Sequence, residues 1–165
     1  MKGSVLVTGG ARRIGLAICE ELSARGWNVL SHSRDLENPL ASDFAKCDAA
    51  ADRLFAAALE AAPDLCAIVN NAALFEGDAA TLEAVNLIAP RKLTTLLAGR
   101  EDGVSSVVNI LDSRTLGSAE SEDSPYVRTK RALLADTRKF AALFAQTLRV
   151  NAVAPGPVLP PEGSP

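Results

Sequence analysis

Tyr126 precedes Lys130 by four residues in the stretch SPYVRTK, and it is the only tyrosine of the chain. On a helix, that spacing lets both side chains share one face. A free phenol titrates at about pH 10 and is a poor acid or base at neutrality. An ammonium beside it favours the phenolate and lowers that value. Tyr126 so placed can deliver a proton while a bound reductant delivers hydride. A lone Tyr–Lys pair on an exposed helix is more often a solvated face, so the reading depends on what accompanies it.

A second chemistry-bearing stretch is Thr8-Gly9-Gly10-Ala11-Arg12-Arg13-Ile14-Gly15. The glycines permit a tight turn and a close backbone approach to an anion. A helix N-terminus behind them supplies unpaired N–H groups and a positive dipole end. Between a first strand and a first helix, such a loop fits a dinucleotide pyrophosphate. The tip of the next strand reads Ser31-His32-Ser33-Arg34 rather than the carboxylate expected for NAD. A cation among hydroxyls suits a 2′-phosphate and therefore NADPH, although Asp35 follows at once.

The elements that must position these residues can be traced in the hydropathy pattern. Val5–Val7 is a short apolar run stopped by glycine, as a buried parallel strand would be. Ile14, Ile18 and Leu22 repeat at helical spacing, with Gly26 as the C-cap. Strands are expected at Asn28–Ser31, at Phe44–Cys47 as a short third strand, at Leu65–Val69, Val104–Leu111 and Leu148–Val153. Helices are expected at Ala50–Ala62, at Leu82–Leu97 with a kink at Pro90, and from SPYVRTK to about Gln146. Alternating strands and helices predict βαβ units with right-handed crossovers, a doubly wound parallel sheet with helices on both faces.

Composition narrows the class. A chain of 165 residues, 48% apolar, is long enough for one domain with its own core, and residues 1–165 show no repeat or internal linker. The net charge of −3 lacks the basic excess of a nucleic-acid binder. No run is apolar for the length of a membrane span, and MKGSVLVTGG reads as a strand entering a loop rather than a leader. Cys19, Cys47 and Cys66 have no CxxC spacing and read as reduced, buried thiols of a cytoplasmic protein. With His32 the only histidine, no metal site is expected.

Taken in order, these pieces resemble the short-chain dehydrogenase/reductase family. TGGARRIG resembles its TGxxxGxG loop, Cys47-Asp48 the acid that holds the adenine amino group, and Asn70-Asn71-Ala72-Ala73 its NNAG segment. Asn86 resembles the helix asparagine, Tyr126 and Lys130 YxxxK, and Arg149-Val150-Asn151 with Pro155-Gly156 the segment that closes over the nicotinamide. The resemblance implies strand order 3-2-1-4-5-6. It implies NADPH held by Gly9, Arg12, Arg13, Ile14, Gly15, His32, Ser33, Arg34, Asp48, Asn70, Asn71, Ala72, Lys130, Pro155 and Gly156. Catalysis would fall to Asp112, Tyr126, Lys130 and Asn86, the last bending its helix and anchoring a relay water.

Two departures narrow the resemblance. Arg13 stands where the family has its middle glycine, and Asp112 where the catalytic serine is usual. Both resemble pteridine reductases and the related dihydromonapterin and dihydrofolate reductases. This implies hydride transfer to a C=N bond of a pterin-like substrate, contacted by Arg13, Phe75, Asp112 and Tyr126. Asp112 would orient Tyr126 or the pterin, and a carboxylate beside a phenol is expected to titrate high. Ala73 and Leu74 replace hydroxyl residues of some members, and Asp112 could instead cap a turn with Ser113. Alternatives are a reductase of a 3-oxoacyl thioester or sugar ketone, and a nucleotide-binding module without catalysis. The family also implies a homo-oligomer, dimer or tetramer, built on helices such as the one carrying Leu133, Leu134, Phe140, Leu143 and Phe144. Family members continue past PG through a substrate-covering helix and a seventh strand. Without these, Leu148–Val153 is expected to be an open apolar edge.

Overall fold

The computed structural model describes residues 2–35, 37–47, 49–100, 103–117 and 124–158. Five strands, β1 (Ser4–Thr8), β2 (Asn28–His32), β3 (Leu65–Asn70), β4 (Ser105–Ile110) and β5 (Leu148–Val153), form one parallel sheet in the order β2-β1-β3-β4-β5. Alternation along the strands assigns the two faces. Val5, Val7, Ala67 and Val69 pack against Ile18, Cys19 and Leu22 of α1 (Arg13–Ala24) and against Trp27. Leu6, Ile68, Val107, Leu148 and Val150 face the other way. They meet Leu54 and Phe55 of α2 (Ala50–Ala61), Leu93 and Leu97 of α4 (Ala89–Ala98), and Phe140 of α5 (Pro125–Leu143). The period-2 strand pattern therefore separates two cores, each removing apolar surface from water.

The expected third strand at 44–47 does not form. Asp43 Oδ1 accepts the Ala45 N–H at 3.0 Å, and the Asp43 carbonyl accepts that of Lys46 at 3.1 Å, so the segment is a turn. An aspartate that bonds to the backbone two residues on competes with ladder formation. The strand order is the expected one with that strand removed, and β2 becomes an edge. Among the described residues the other edge is β5, which pairs with β4. Its outward residues include Arg149 and Asn151 as well as Val153, so this edge is more polar than an apolar run suggests.

The helix expected at 82–97 runs from Ala79 to Ala98 in three parts. A π-turn at Ala84–Ile88 joins α3 (Ala79–Glu83) to α4. Pro90 has no N–H for the carbonyl one turn earlier, at Asn86, and the widened turn absorbs that loss. Gly26, at φ 84°, ends α1, with the Trp27 N–H returning to the Leu22 carbonyl at 3.1 Å. In α5, Ser124 Oγ accepts the Val127 N–H at 3.2 Å and Pro125 takes the first helical position. The helix stops at Leu143, short of Gln146, as residues 144–147 turn back into β5. Leu133 and Phe140 are buried against the sheet, while Leu143 stays 63% exposed. The three thiols are half-buried rather than buried, and none is in a disulfide. Among the described residues, no helix is long and apolar enough to cross a membrane and no group of acidic, histidine and cysteine side chains could hold a metal.

Candidate active site

One cleft of about 920 Å³ runs along the C-terminal ends of the strands, where parallel α/β sheets bind ligands. Its phosphate end is the turn from β1 into α1. Gly9 lies at φ 66°, and Gly15 packs so tightly that a Cβ there would stand 2.0 Å from the Gly9 carbonyl oxygen. Arg13, in place of the family's middle glycine, keeps the left-handed backbone at φ 51°; it is the only non-glycine residue described with positive φ. No side chain caps α1 and no acidic residue stands in its first turn, so its N-terminus faces the cleft with its dipole uncompensated.

Thr8 and Asn71 tie this loop to β3. Asn71 Nδ2 donates to the carbonyls of Thr8 and Gly9, both at 3.0 Å, while Thr8 Oγ1 accepts the N–H groups of Asn71 and Ala72 at 3.0 and 3.1 Å. His32 is 2% exposed, its Nδ1 on the Gly9 N–H and its Nε2 on the Ser42 carbonyl. It therefore supports the loop rather than offering a charge to a phosphate. Ser33 is buried, its Oγ accepting the Asp35 N–H at 3.1 Å, and Arg34 is exposed at the rim of the cleft.

The reactive end is assembled from side chains. Tyr126 OH donates to Asp112 Oδ2 at 3.3 Å, and the exposed ring of Phe75 lies 4.7 Å from the Tyr126 ring. Lys130 is buried and its Nζ donates to the Ile110 carbonyl at 2.8 Å. Arg114 grips Asp112 with both ends of its fork. Nε donates to Oδ1 and Nη2 to Oδ2, each at 2.9 Å, and its Cζ stands 5.3 Å from the Tyr126 ring centroid. Asp112 also caps the short 3-10 turn Ser113–Thr115 by accepting the Arg114 N–H, so the cap and the contact with Tyr126 coexist.

This arrangement corrects two expected pKa shifts. The Arg114 fork holds the Asp112 carboxyl below the ordinary carboxylate value, against the high titration expected beside a phenol. Burial first, and then the Asp112 charge, push the Tyr126 phenol above its ordinary value, the reverse of the lowering expected from Lys130. Burial pulls Lys130 down to about 8. The phenol thus keeps its proton at neutral pH.

Of the residues singled out in the sequence, Gly9, Arg12, Arg13, Ile14, Gly15, His32, Ser33, Arg34, Asn71, Ala72, Phe75, Asp112, Tyr126, Lys130, Pro155 and Gly156 line this cleft. Asn70 does not; it is buried, its Nδ2 donating to Asn109 Oδ1 at 2.8 Å. Asn86 also lies beneath the surface. Its Oδ1 accepts the Leu74 N–H, and its Nδ2 donates to the Leu74 carbonyl and, at 3.2 Å, to Thr129 Oγ1. It therefore fixes the backbone that presents Phe75. Asp48 lies outside the described residues. Sequence reasoning missed Arg114, although a cation two residues after a singled-out aspartate was a usable signal. It also missed Phe44, whose ring stacks on His32 at 4.9 Å.

Residues 3–163 match the family described as short chain dehydrogenase. The chain belongs to that family. It is similar to FolM alternative dihydrofolate reductase 1 from Brucella canis, a structure complexed with NADP, at 33% identity and TM-score 0.75, over 97% of this chain and 75% of that one. The Brucella suis counterpart, also with NADP, matches at 33% identity and TM-score 0.75, over 96% and 76%. The bulky-bulky ketone specific alcohol dehydrogenase from Comamonas testosteroni, at 21% identity, TM-score 0.82, and 96% and 76% coverage, shares the fold. Among curated proteins, L-xylo-3-hexulose reductase from Hypocrea jecorina is 28% identical over 92% of this chain, which spans 65% of that relative's length.

Proposed function

We propose that this short chain dehydrogenase is an NADPH-dependent reductase of a pteridine-type substrate, a dihydropterin or dihydrofolate. The observation that carries the reading is the contact of Tyr126 with Asp112 beside the exposed ring of Phe75. An ionised carboxylate at this place accepts N–H groups, as an amidine-containing ring would offer and a simple ketone would not. The FolM likeness supports the same class.

The cleft suits NADPH by its donor set: an uncapped helix N-terminus behind a glycine turn, with the Arg34 guanidinium at the rim where a 2′-phosphate would lie. Arg12, Arg13, Ile14, Gly15, Ser33, Asn71, Ala72, Pro155 and Gly156 would hold it together with Lys130. When bound, it supplies hydride. The chain's own residues supply the rest. Tyr126 keeps the transferable proton at its hydroxyl. Asp112, held ionised by Arg114, aims that hydroxyl and accepts from the substrate. Lys130, which titrates at about 8 and so is still mostly charged at neutral pH, offsets the phenolate charge left when the Tyr126 proton passes to the substrate. Phe75 offers a face for ring stacking. Asp48 as an adenine contact, a homo-oligomer and a cytoplasmic setting belong to the same reading.

A second reading, reduction of a sugar ketone, is favoured by the hexulose reductase likeness. The deciding assay is NADPH oxidation with dihydrobiopterin and dihydrofolate, run beside a ketohexose and a 3-oxoacyl thioester. Turnover of the pterins is expected. Turnover confined to a carbonyl substrate would replace the first reading with the second. NADPH binding without turnover of any substrate would leave a binding module.

A further inference from the structure

His32 is the chain's only histidine and closes β2 inside the fold. Its Nδ1 takes the Gly9 N–H at 3.3 Å, and its Nε2 lies 3.0 Å from the Ser42 carbonyl. An N–H only donates and a carbonyl only accepts, so the two partners fix one neutral tautomer, with the proton on Nε2. The His32 carbonyl accepts the next N–H, that of Gly10, at 2.9 Å. The ring stacks on Phe44. A single residue thus joins the first two glycines of the loop to the 42–44 wall of the cleft.

We infer that His32 is the positioning residue of the phosphate loop: in its neutral Nε2–H form it holds Gly9 and the 42–44 wall in the geometry that binds NADPH, and a second ring proton releases them. The inference rests on the NADPH reading of the cleft. A doubly protonated imidazole has two donors and no acceptor, so its Nδ1–H would confront the Gly9 N–H. Burial disfavours the charged ring and moves its titration below the ordinary value, with the Ser42 carbonyl and the Asp43 carboxylate acting the other way. From the loop side the ring meets the Gly9 backbone; Arg34 and Asp35, next on its own segment, are exposed. The sign follows from linkage. The fold favours the neutral ring, so its share of stability is present above the ordinary histidine value of about 6.5 and is lost as pH falls through the lowered value in the fold. The bound state favours the neutral ring further, so affinity holds above that lowered value and weakens as pH falls through it.

With one imidazole in the chain, a nitrogen–proton correlation spectrum of the ring reports His32 alone. The expected spectrum shows a neutral ring protonated on Nε2 that titrates below about 6.5, and lower still with NADPH present. NADPH affinity, read by fluorescence, should weaken about tenfold as pH falls through that titration. His32→Asn places an amide oxygen near the Nδ1 position and does not titrate. With the Ser42 bond and the Phe44 stack given up, it should bind up to about tenfold more weakly than wild type at about pH 7.5 but lack the extra acid weakening, leaving only the share due to the 2′-phosphate. His32→Phe keeps the stack without the acceptor and should bind about tenfold more weakly. A ring protonated on Nδ1, matching acid profiles in wild type and His32→Asn, or unchanged affinity in a folded His32→Phe would each overturn the inference. Wild-type protein that binds no NADPH at any pH would overturn the NADPH reading and this inference together.

Discussion

The two ends of the cleft are built from different material. At the phosphate end, the Gly9 and Gly15 backbone and the uncapped start of α1 offer main-chain groups, which the Asn71 and His32 side chains brace from behind. At the reactive end, Asp112, Arg114, Tyr126 and Lys130 work through side-chain charge and burial. A backbone-built site is sensitive to added volume and to backbone conformation, and Arg13 holds the left-handed conformation there where the family has glycine. A charge-built site behaves in the opposite way, since each group sets the protonation of the next.

Substitutions can break that contrast. The largest effect is expected from Tyr126→Phe, which removes the proton and keeps the ring beside Phe75. It should lower kcat by at least about a hundredfold with NADPH affinity unchanged; steady-state rates close to wild type would remove the phenol from the chemistry. Next comes Gly15→Ala. Its methyl group would meet the Gly9 carbonyl at 2.0 Å and Asn71 Nδ2 at 2.7 Å, and backbone must move. Thermal denaturation should show a loss of about 1–3 kcal/mol, with NADPH affinity falling at least about tenfold.

Lys130→Met tests the reactive end by pH. In the fold, Lys130 gives up its proton at about 8, while the unfolded chain keeps it to the ordinary lysine value. Across that interval the unfolded state holds the extra proton, so stability rises with pH. The rise should be on the order of 2 kcal/mol and absent from Lys130→Met in denaturant titrations at successive pH values. Tyr126 acts in the opposite sense only above its own ordinary value. An equal rise in the variant would assign it to other groups. The smallest effect belongs to Arg13→Gly. Glycine relieves the φ 51° backbone and should stabilise the fold by about 0.5–1 kcal/mol, while the lost guanidinium weakens NADPH binding. Tighter binding by that variant would mean that Arg13 contributes nothing to the phosphate end.

Much of this was legible in the sequence because its signals are local. A glycine turn before a helix, Ser-Pro opening another, and apolar runs cut by glycine or asparagine all act within a few residues. The third strand was misread for the same reason in reverse: Asp43 bonds two residues on and closes a turn that hydropathy does not register. Arg114 escaped notice because its meaning depends on the turn that folds its guanidinium back onto Asp112.

By itself, then, the sequence determined the parallel α/β frame, the glycine loop and the pairing of Tyr126 with Lys130. All of these follow from period, spacing and turn chemistry. Only the tertiary structure decided how the groups are charged. Whether Lys130 titrates at about 8, whether Asp112 stays ionised, and whether His32 faces a phosphate or braces the loop depend on burial and on partners brought in from distant elements. Proton affinity is set by the surrounding medium and neighbouring charges, and neither exists until the chain has closed around them.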